Sequence, residues 1–595
     1  MLAWQYLFLV EYSIIMASMS RLYDIARRAP KEAAAAKSKA TVAKEFVGKL
    51  ILSDIPETLS NLQSSVGQTM NDSQEQAREV ISSMNETIQY HYENGIPTDV
   101  VIAVSAAGLL VAALTAFVLY KLNQRNEHQK RYGKNRFPPK APGGIRATLR
   151  ALANPRELPL FWKRCADQVG PIFCLPSSFF CTTTSSQTQP MTVIVGSVSI
   201  AKEILQDSKT LKLEPAYDSI AKIAGGGPPA NNIMTSEGPL WKLSRKAISP
   251  AFLSNHLDRM HQVCEEHTQK WVEKELVELV ASGNSFDIGQ EMIKLTLAIL
   301  CEAAFEYRMK EKEAKFLLKE FDIAIEAYGN NDFDSAKSFW QALFAGRGRR
   351  TNARADKACE RVQAVAMKII KSFKKIKPSG QRQTIINLIV KSSKYDNDEH
   401  RAADIIMFLF AGLHTTAYSL AWTIIELAKH PSESKLLRDA LNGEDDKLAH
   451  VMLKDVLREG MRLHPVTPTV GVRVTGKDHF LPGKMVIPKG SHVVFPSLIL
   501  SRHGVQDAEL FKPQRYRDDN ELSFLLFSSG RRHCVGQSLA LAEITFVLSR
   551  LCAEFTFKVV KQGTEEHGPF TRCVGTKLTV HKAHVERVHR SEAAQ

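Results

Sequence analysis

Hydrophobic and polar positions divide this chain unevenly. From Val100 to Tyr120, "VVIAVSAAGLLVAALTAFVLY" runs 21 residues without a charge. That is enough to cross a bilayer at about 1.5 Å per residue, and it predicts a single transmembrane helix. Beyond Gly144 the pattern is that of a folded domain. "PMTVIVGS" (Pro190–Ser197) reads as an early sheet, followed by a long helical middle and then short strands and turns. A last strand pair is expected at "FTFKVV" (Phe555–Val560) and "TKLTVHKA" (Thr576–Ala583). Helices dominate and the small sheets stand apart, which is an α+β pattern. One helix is unusual: "FLFAGLHTTAYSLAW" (Phe408–Trp422) has the apolar content of a buried helix but carries Gly412, His414, Thr415 and Thr416 in its middle. Glycine costs a helix interior about 1 kcal/mol, and β-branched threonines add to that.

Charge orients the apolar span. Lys121, Arg125, Lys130, Arg131, Lys134 and Arg136 follow it, whereas Glu93 and Asp99 precede it. The positive-inside rule then places everything after Tyr120 on the cytosolic side. "FPPKAPGG" (Phe137–Gly144) is a stiff, turn-rich connector. The expected organisation is an extension at 1–99, a span at 100–120, a basic and proline-rich linker at 121–143 and one folded domain at 144–595. Two readings of the extension stand side by side. Arg21, Arg27, Arg28 and "KEAAAAKSKATVAKEF" resemble a basic targeting segment, while the sequons at Asn71 and Asn85 suit a lumenal side.

Net charge is +15 with pI near 9.2. No basic tract interleaved with aromatics and no zinc-finger spacing accompanies it, so nucleic acid is excluded as a partner. Nine cysteines are scattered without a C-x-x-C pair. An odd number argues for a reducing compartment and for thiols that serve mostly as small core residues.

Cys534 is different. It lies in "FSSGRRHCVGQSLALAE" (Phe527–Glu543), just before the convincing helix "QSLALAEITFVLSRL". A helix N-terminus and the adjacent Arg531, Arg532 and His533 are expected to depress its pKa. Gly530 and Gly536 permit a tight turn and the close approach of a flat object, and Phe527 can wall the sulfur from water. A structural cysteine, a nucleophile with a nearby base and a thiolate ligand to haem iron are the three readings of such a site.

The pattern Phe-x-x-Gly-x-Arg-x-Cys-x-Gly, at Phe527, Gly530, Arg532, Cys534 and Gly536, resembles the haem-binding signature of the cytochrome P-450 family. Other marks of that family follow in order: Trp241 and Arg245 in "WKLSR", Glu459 and Arg462 in "EGMR", and Pro513–Tyr516 with Gln514 in place of glutamate. By itself the Glu459–Arg462 spacing would read as a surface ion pair worth a few tenths of a kcal/mol. The resemblance covers roughly Phe137 to the C-terminus and leaves 1–99 outside.

The resemblance implies a mostly helical cytochrome P-450 fold with small β-sheets, preceded here by the single transmembrane helix. It implies haem b (iron protoporphyrin IX) with Cys534 as axial thiolate, and a buried network of Glu459, Arg462 and Arg515. Trp241, Arg245, Arg532 and Arg473 would meet the propionates. The implied activity is monooxygenation: one atom of dioxygen enters a hydrophobic small molecule such as a sterol, fatty acid, terpenoid or xenobiotic. Electrons would come from an NADPH-dependent flavoprotein reductase, or alternatively a ferredoxin, meeting the basic Arg531–His533 side. The implied location is the endoplasmic-reticulum membrane with a cytosolic catalytic domain, with a mitochondrial or other organelle membrane as the alternative. Segments 231–234, 321–344 and 466–472 would line the substrate pocket.

Within that resemblance "AGLHTT" takes the place of Ala/Gly-Gly-x-Asp/Glu-Thr-Thr. Gly412 and Thr415 would loosen the helix and leave a groove for dioxygen, with Thr415 as its hydrogen-bond partner. His414 replaces the acid that relays protons, and reads equally as a relay or as a structural group. The segments from Pro431 to Glu459 and from Pro513 to Cys534 are short, similar to soluble bacterial members. Two rivals keep the haem: an isomerase or dehydratase acting on a peroxide, and a non-catalytic haem-binding sensor.

Overall fold

A computed structural model of the chain describes residues 137–153, 158–175, 191–212, 214–224, 232–252, 257–328, 348–376, 383–518, 525–561 and 582–587. The expected extension at 1–99, the span at 100–120 and all of the linker except 137–143 lie outside these residues.

The helices that build the site are α1 (Leu158–Val169), α2 (Gly238–Ile248), α3 (Leu257–Trp271), α4 (Ile288–Phe305), α5 (Glu311–Tyr328), α6 (Gly348–Ile376), α7 (Asp398–Lys429), α8 (Pro431–Leu441), α9 (Asp446–Leu463) and α10 (Gln537–Glu554). At its centre is α7, 32 residues long. Asn397 caps it by accepting from the His400 N–H at 2.8 Å, and Asp398 and Glu399 suit its positive end. Pro431 lacks an N–H and starts α8 instead of extending α7. Among the described residues α7 is the helix long and apolar enough to cross a membrane, but most of it is buried in the core.

Close approach to α7 depends on glycine. A Cβ at Gly460 of α9 would lie 2.4 Å from the Thr423 Oγ1, and one at Gly412 would lie 3.2 Å from a Leu300 methyl of α4. Gly412 therefore serves helix packing. Helix α7 is continuous through Gly412–Thr416, and within it Thr415 Oγ1 donates to the Ala411 carbonyl at 2.7 Å, a local back-bond of the kind that competes with the backbone ladder.

The strands are β1 (Ile172–Leu175), β2 (Thr192–Val195), β3 (Leu211–Lys212), β4 (Phe286–Asp287), β5 (Thr469–Val474), β6 (His479–Leu481), β7 (Met485–Ile487), β8 (His492–Pro496), β9 (Phe555–Lys561) and β10 (Lys582–Arg587). The largest sheet has the order β1-β2-β8-β5-β3, with β2 and β8 parallel and the other pairs antiparallel. Its side chains alternate with the two-residue strand period. Phe173, Ile194 and Val494 pack with α1, while Ile172, Val193, Val195, Val493 and Phe495 face a second core. On β5 a bulge between Thr469 and Val472, with Gly471 at φ +152, lets Val470 and Val472 face opposite sides. The final sheet is β4-β10-β9. Its last strand is described over Lys582–Arg587, which shares Lys582 and Ala583 with the expected 576–583; residues 576–581 lie outside the described set.

Candidate functional site

Cys534 sits on the loop that feeds α10. Its N–H donates to the Phe527 carbonyl at 2.9 Å, and the His533 N–H donates to the Gly530 carbonyl at 3.1 Å. Gly530 has φ +70, and a Cβ there would meet the Leu205 carbonyl oxygen at 2.3 Å, so the turn requires glycine. At Gly536 a Cβ would lie 4.0 Å from both the sulfur and the Phe252 ring. Phe527 is half-buried and packs on the main core.

The expected depression of the Cys534 pKa does not appear. Burial pushes the thiol up, and the Gly536 N–H and the Arg245 guanidinium offset this only in part. The reason is where the neighbouring cations point. Arg531 donates to the Ser208 carbonyl at 2.6 Å, and Arg532 turns away to the Ser236 carbonyl at 2.7 Å. Arg245 holds the His533 carbonyl and ring nitrogen, each at 3.1 Å. The cysteine is nevertheless open to solvent, unlike Cys165, Cys174, Cys264, Cys301, Cys359 and Cys552. A thiol reachable by solvent yet enclosed enough to be destabilised as a free thiolate suits coordination, which removes the proton outright.

Beside this loop lies a group of cations, of which Lys212 and Arg473 are buried and Arg532 half-buried. Arg532 stacks 3.9 Å above the buried Trp241 ring of α2 and pairs with Glu237. Arg473 donates to Tyr217 at 2.8 Å, and the bulge at Gly471 leaves room for its guanidinium. Lys212 is also buried and lies over the Tyr217 ring at 4.5 Å. Burial, then Arg532 and Arg473, hold the Lys212 amine well below the usual lysine range, with Glu237 a smaller opposing effect. Three cations thus face one carboxylate. Arg532 Nη1 and Ser236 Oγ are buried without a hydrogen-bond partner among the described residues. This excess of charge and donors fits the two propionates of haem. Sequence reasoning missed Lys212 for a physical reason: Leu211 is 53% exposed and Lys212 is buried, the reverse of what an alternating pattern predicts.

Glu459, Arg462 and Arg515 come together, and away from the surface. Arg462 makes a two-point contact with Glu459, 2.8 Å at each end, and Arg515 Nε reaches the same carboxylate at 3.0 Å. Both partners of the first pair are buried, so the surface-pair reading of that spacing is overturned. The two arginines also donate to the Ala508 and Gln506 carbonyls at 2.6 and 2.7 Å, fixing the irregular chain around 501–512 against α9.

On α7, a helix otherwise buried on nearly every side, Ala411 is exposed and Gly412, His414 and Thr415 are half-exposed. The His414 ring lies 5.8 Å from the Tyr418 ring. Of the expected pocket-lining positions, Ile233, Phe321, Val470 and Val472 are core residues, while Asn231 and 329–344 lie outside the described residues.

The cytochrome P-450 family profile matches residues 169–580. Cytochrome P-450 4F4 of Rattus norvegicus is 26% identical over 403 residues, 60% of this chain and 74% of that protein. Probable cytochrome P-450 4e1 of Drosophila melanogaster is 25% identical over 391 residues, 59% of this chain and 70% of the relative. Cytochrome P-450 4F2 of Homo sapiens is 27% identical over 379 residues, 56% and 70% of the two chains.

Proposed function

This chain belongs to the cytochrome P-450 family of haem-thiolate monooxygenases, and from that premise we propose that it oxidises a hydrophobic small molecule at a membrane surface with electrons from an NADPH-dependent flavoprotein reductase. The observation that supports this most is the conjunction of a solvent-reachable, enclosed Cys534 with the excess of cations at buried Lys212 and Arg473 and half-buried Arg532. Haem bound there supplies the activation of dioxygen and the transfer of one oxygen atom.

The residues of the chain divide the remaining work. Lys212, Arg473 and Arg532 neutralise the propionates, Trp241 backs Arg532, and Arg245 steadies the loop through His533. Phe527 and Gly536 flank the sulfur and restrict water. The Thr415 hydroxyl, which donates to the Ala411 carbonyl, would bond dioxygen, and His414 would pass protons to that space. Glu459, Arg462 and Arg515 keep the chain leading to Cys534 in place. Arg531 and His533 are exposed and offer positive charge to an acidic electron donor. Residues 100–120 anchor the 144–595 catalytic domain, with 121–143 as linker and endoplasmic reticulum as the location.

The test is turnover of a lipophilic panel of sterols, fatty acids and terpenoids by the haem-loaded protein with NADPH and reductase. Reductant-dependent oxygen uptake matched by hydroxylated product is expected. Conversion of an organic hydroperoxide with no reductant-dependent product from any panel member would overturn the reading in favour of an isomerase or dehydratase.

A further inference from the structure

Asp404 has no part in the reading above, yet it is fully buried on α7. Its Oδ1 accepts from the Ile233 backbone N–H at 2.6 Å. Its Oδ2 accepts from Lys394 Nζ at 3.2 Å and from the Tyr395 hydroxyl. Lys394 and Tyr395 are themselves buried, and burial followed by the Asp404 charge pushes the Tyr395 phenol up, so it remains a donor. One carboxylate therefore ties three separate segments together: the central helix, the turn before it and the loop at 232–237.

That loop is pre-shaped. Asn232 Oδ1 accepts from the Met234 and Thr235 N–H groups at 3.0 and 2.9 Å. At its far end the Ser236 carbonyl takes Arg532, and Glu237 pairs with Arg532 while accepting the Lys212 N–H at 3.0 Å. Asp404 also precedes the exposed Ala411 by seven residues, two helical turns, which puts both on one face about 10 Å apart along the axis.

We propose that Asp404 is a positioning residue: it holds loop 232–237 between the open face of α7 and the cationic cluster, and so sets how tightly the haem edge and a bulky distal ligand are enclosed. The consequence for ligands rests on the haem-binding reading, whereas the consequence for the loop does not. Uncharged Asp404→Asn keeps an acceptor for Ile233 but strands Lys394. Lys394→Met and Tyr395→Phe each remove one donor.

The test uses the haem-loaded full chain and three readouts. Hydrogen exchange at 232–237 is expected to rise about tenfold in Asp404→Asn and less in the two donor variants, with α10 unchanged; this is the scale of one charge-assisted hydrogen bond. Affinity for a bulky aryl-imidazole should fall about tenfold while that for imidazole itself holds. The reduced carbon-monoxide spectrum should stay thiolate-type. Unchanged loop exchange in all three variants would overturn the proposal, as would equal loss of both ligands with α10 deprotected. A parent protein without a thiolate-type spectrum would instead sink the haem reading, and the exchange measurement would still decide the role of Asp404.

Discussion

Lys212 is the residue at which folding and cofactor requirements conflict most. A buried amine beside two guanidinium groups costs the haem-free chain stability, while two propionates would repay it. Lys212→Met is therefore expected to move two measurements in opposite directions. Thermal unfolding of the haem-free protein should show a gain of about 1–3 kcal/mol, and haem should dissociate faster from the loaded protein. His414 carries a different prediction: His414→Ala should slow product formation and raise peroxide released per NADPH. Unchanged coupling would leave His414 a structural group beside the Tyr418 ring. Cys534, Trp241, Arg245 and Arg532 were legible in the sequence through their match to the motifs of the family it resembles. Lys212 and Asp404 were not, because each is a charged residue on the buried side of its element. Of their partners, Ile233 lies 171 residues from Asp404 and Glu237 lies 25 from Lys212, while Lys394 sits in the turn just before α7.

Among elements, α7 carries its polar middle without an interruption of the helix. That polar middle coincides with the part of the helix that is open, at Ala411, Gly412, His414 and Thr415. There the threonine hydroxyl bonds the carbonyl four residues back, and glycine accommodates a neighbour's methyl group. Helix α9 packs by the same device, so Gly460→Ala is expected to destabilise the fold by about 1–3 kcal/mol in denaturant unfolding through its clash with Thr423. Removing the charge of Glu459 should cost more. Glu459→Gln strands two arginines already committed to Ser501–Leu510 carbonyls, and about 3–5 kcal/mol is expected. Sequence spacing showed that Glu459 and Arg462 share a helix face, but which face is buried depends on the later chain that covers it.

For the whole molecule, the α+β character followed from apolar periodicity, whereas the pairing of β10 with β4 did not, because that strand lies nearly three hundred residues earlier. Stability should also carry a pH signature from the buried Glu543 of α10. Burial raises its carboxyl from 4.5 to about 8, against a hydrogen bond from Thr296. Its folded pKa lies above the unfolded one, so the native state binds the extra proton and stability falls as pH rises through that window. The melting temperature is expected to drop between pH 5 and 8 by an amount that Glu543→Gln abolishes. The cationic cluster reaches further still. On the proposed assignment, Lys212, Arg473 and Arg532 repel one another until a dianion joins them, so newly made chains awaiting haem are the ones most exposed to proteolysis. Cellular abundance would then follow the supply of haem, with the protein's own electrostatics acting as quality control.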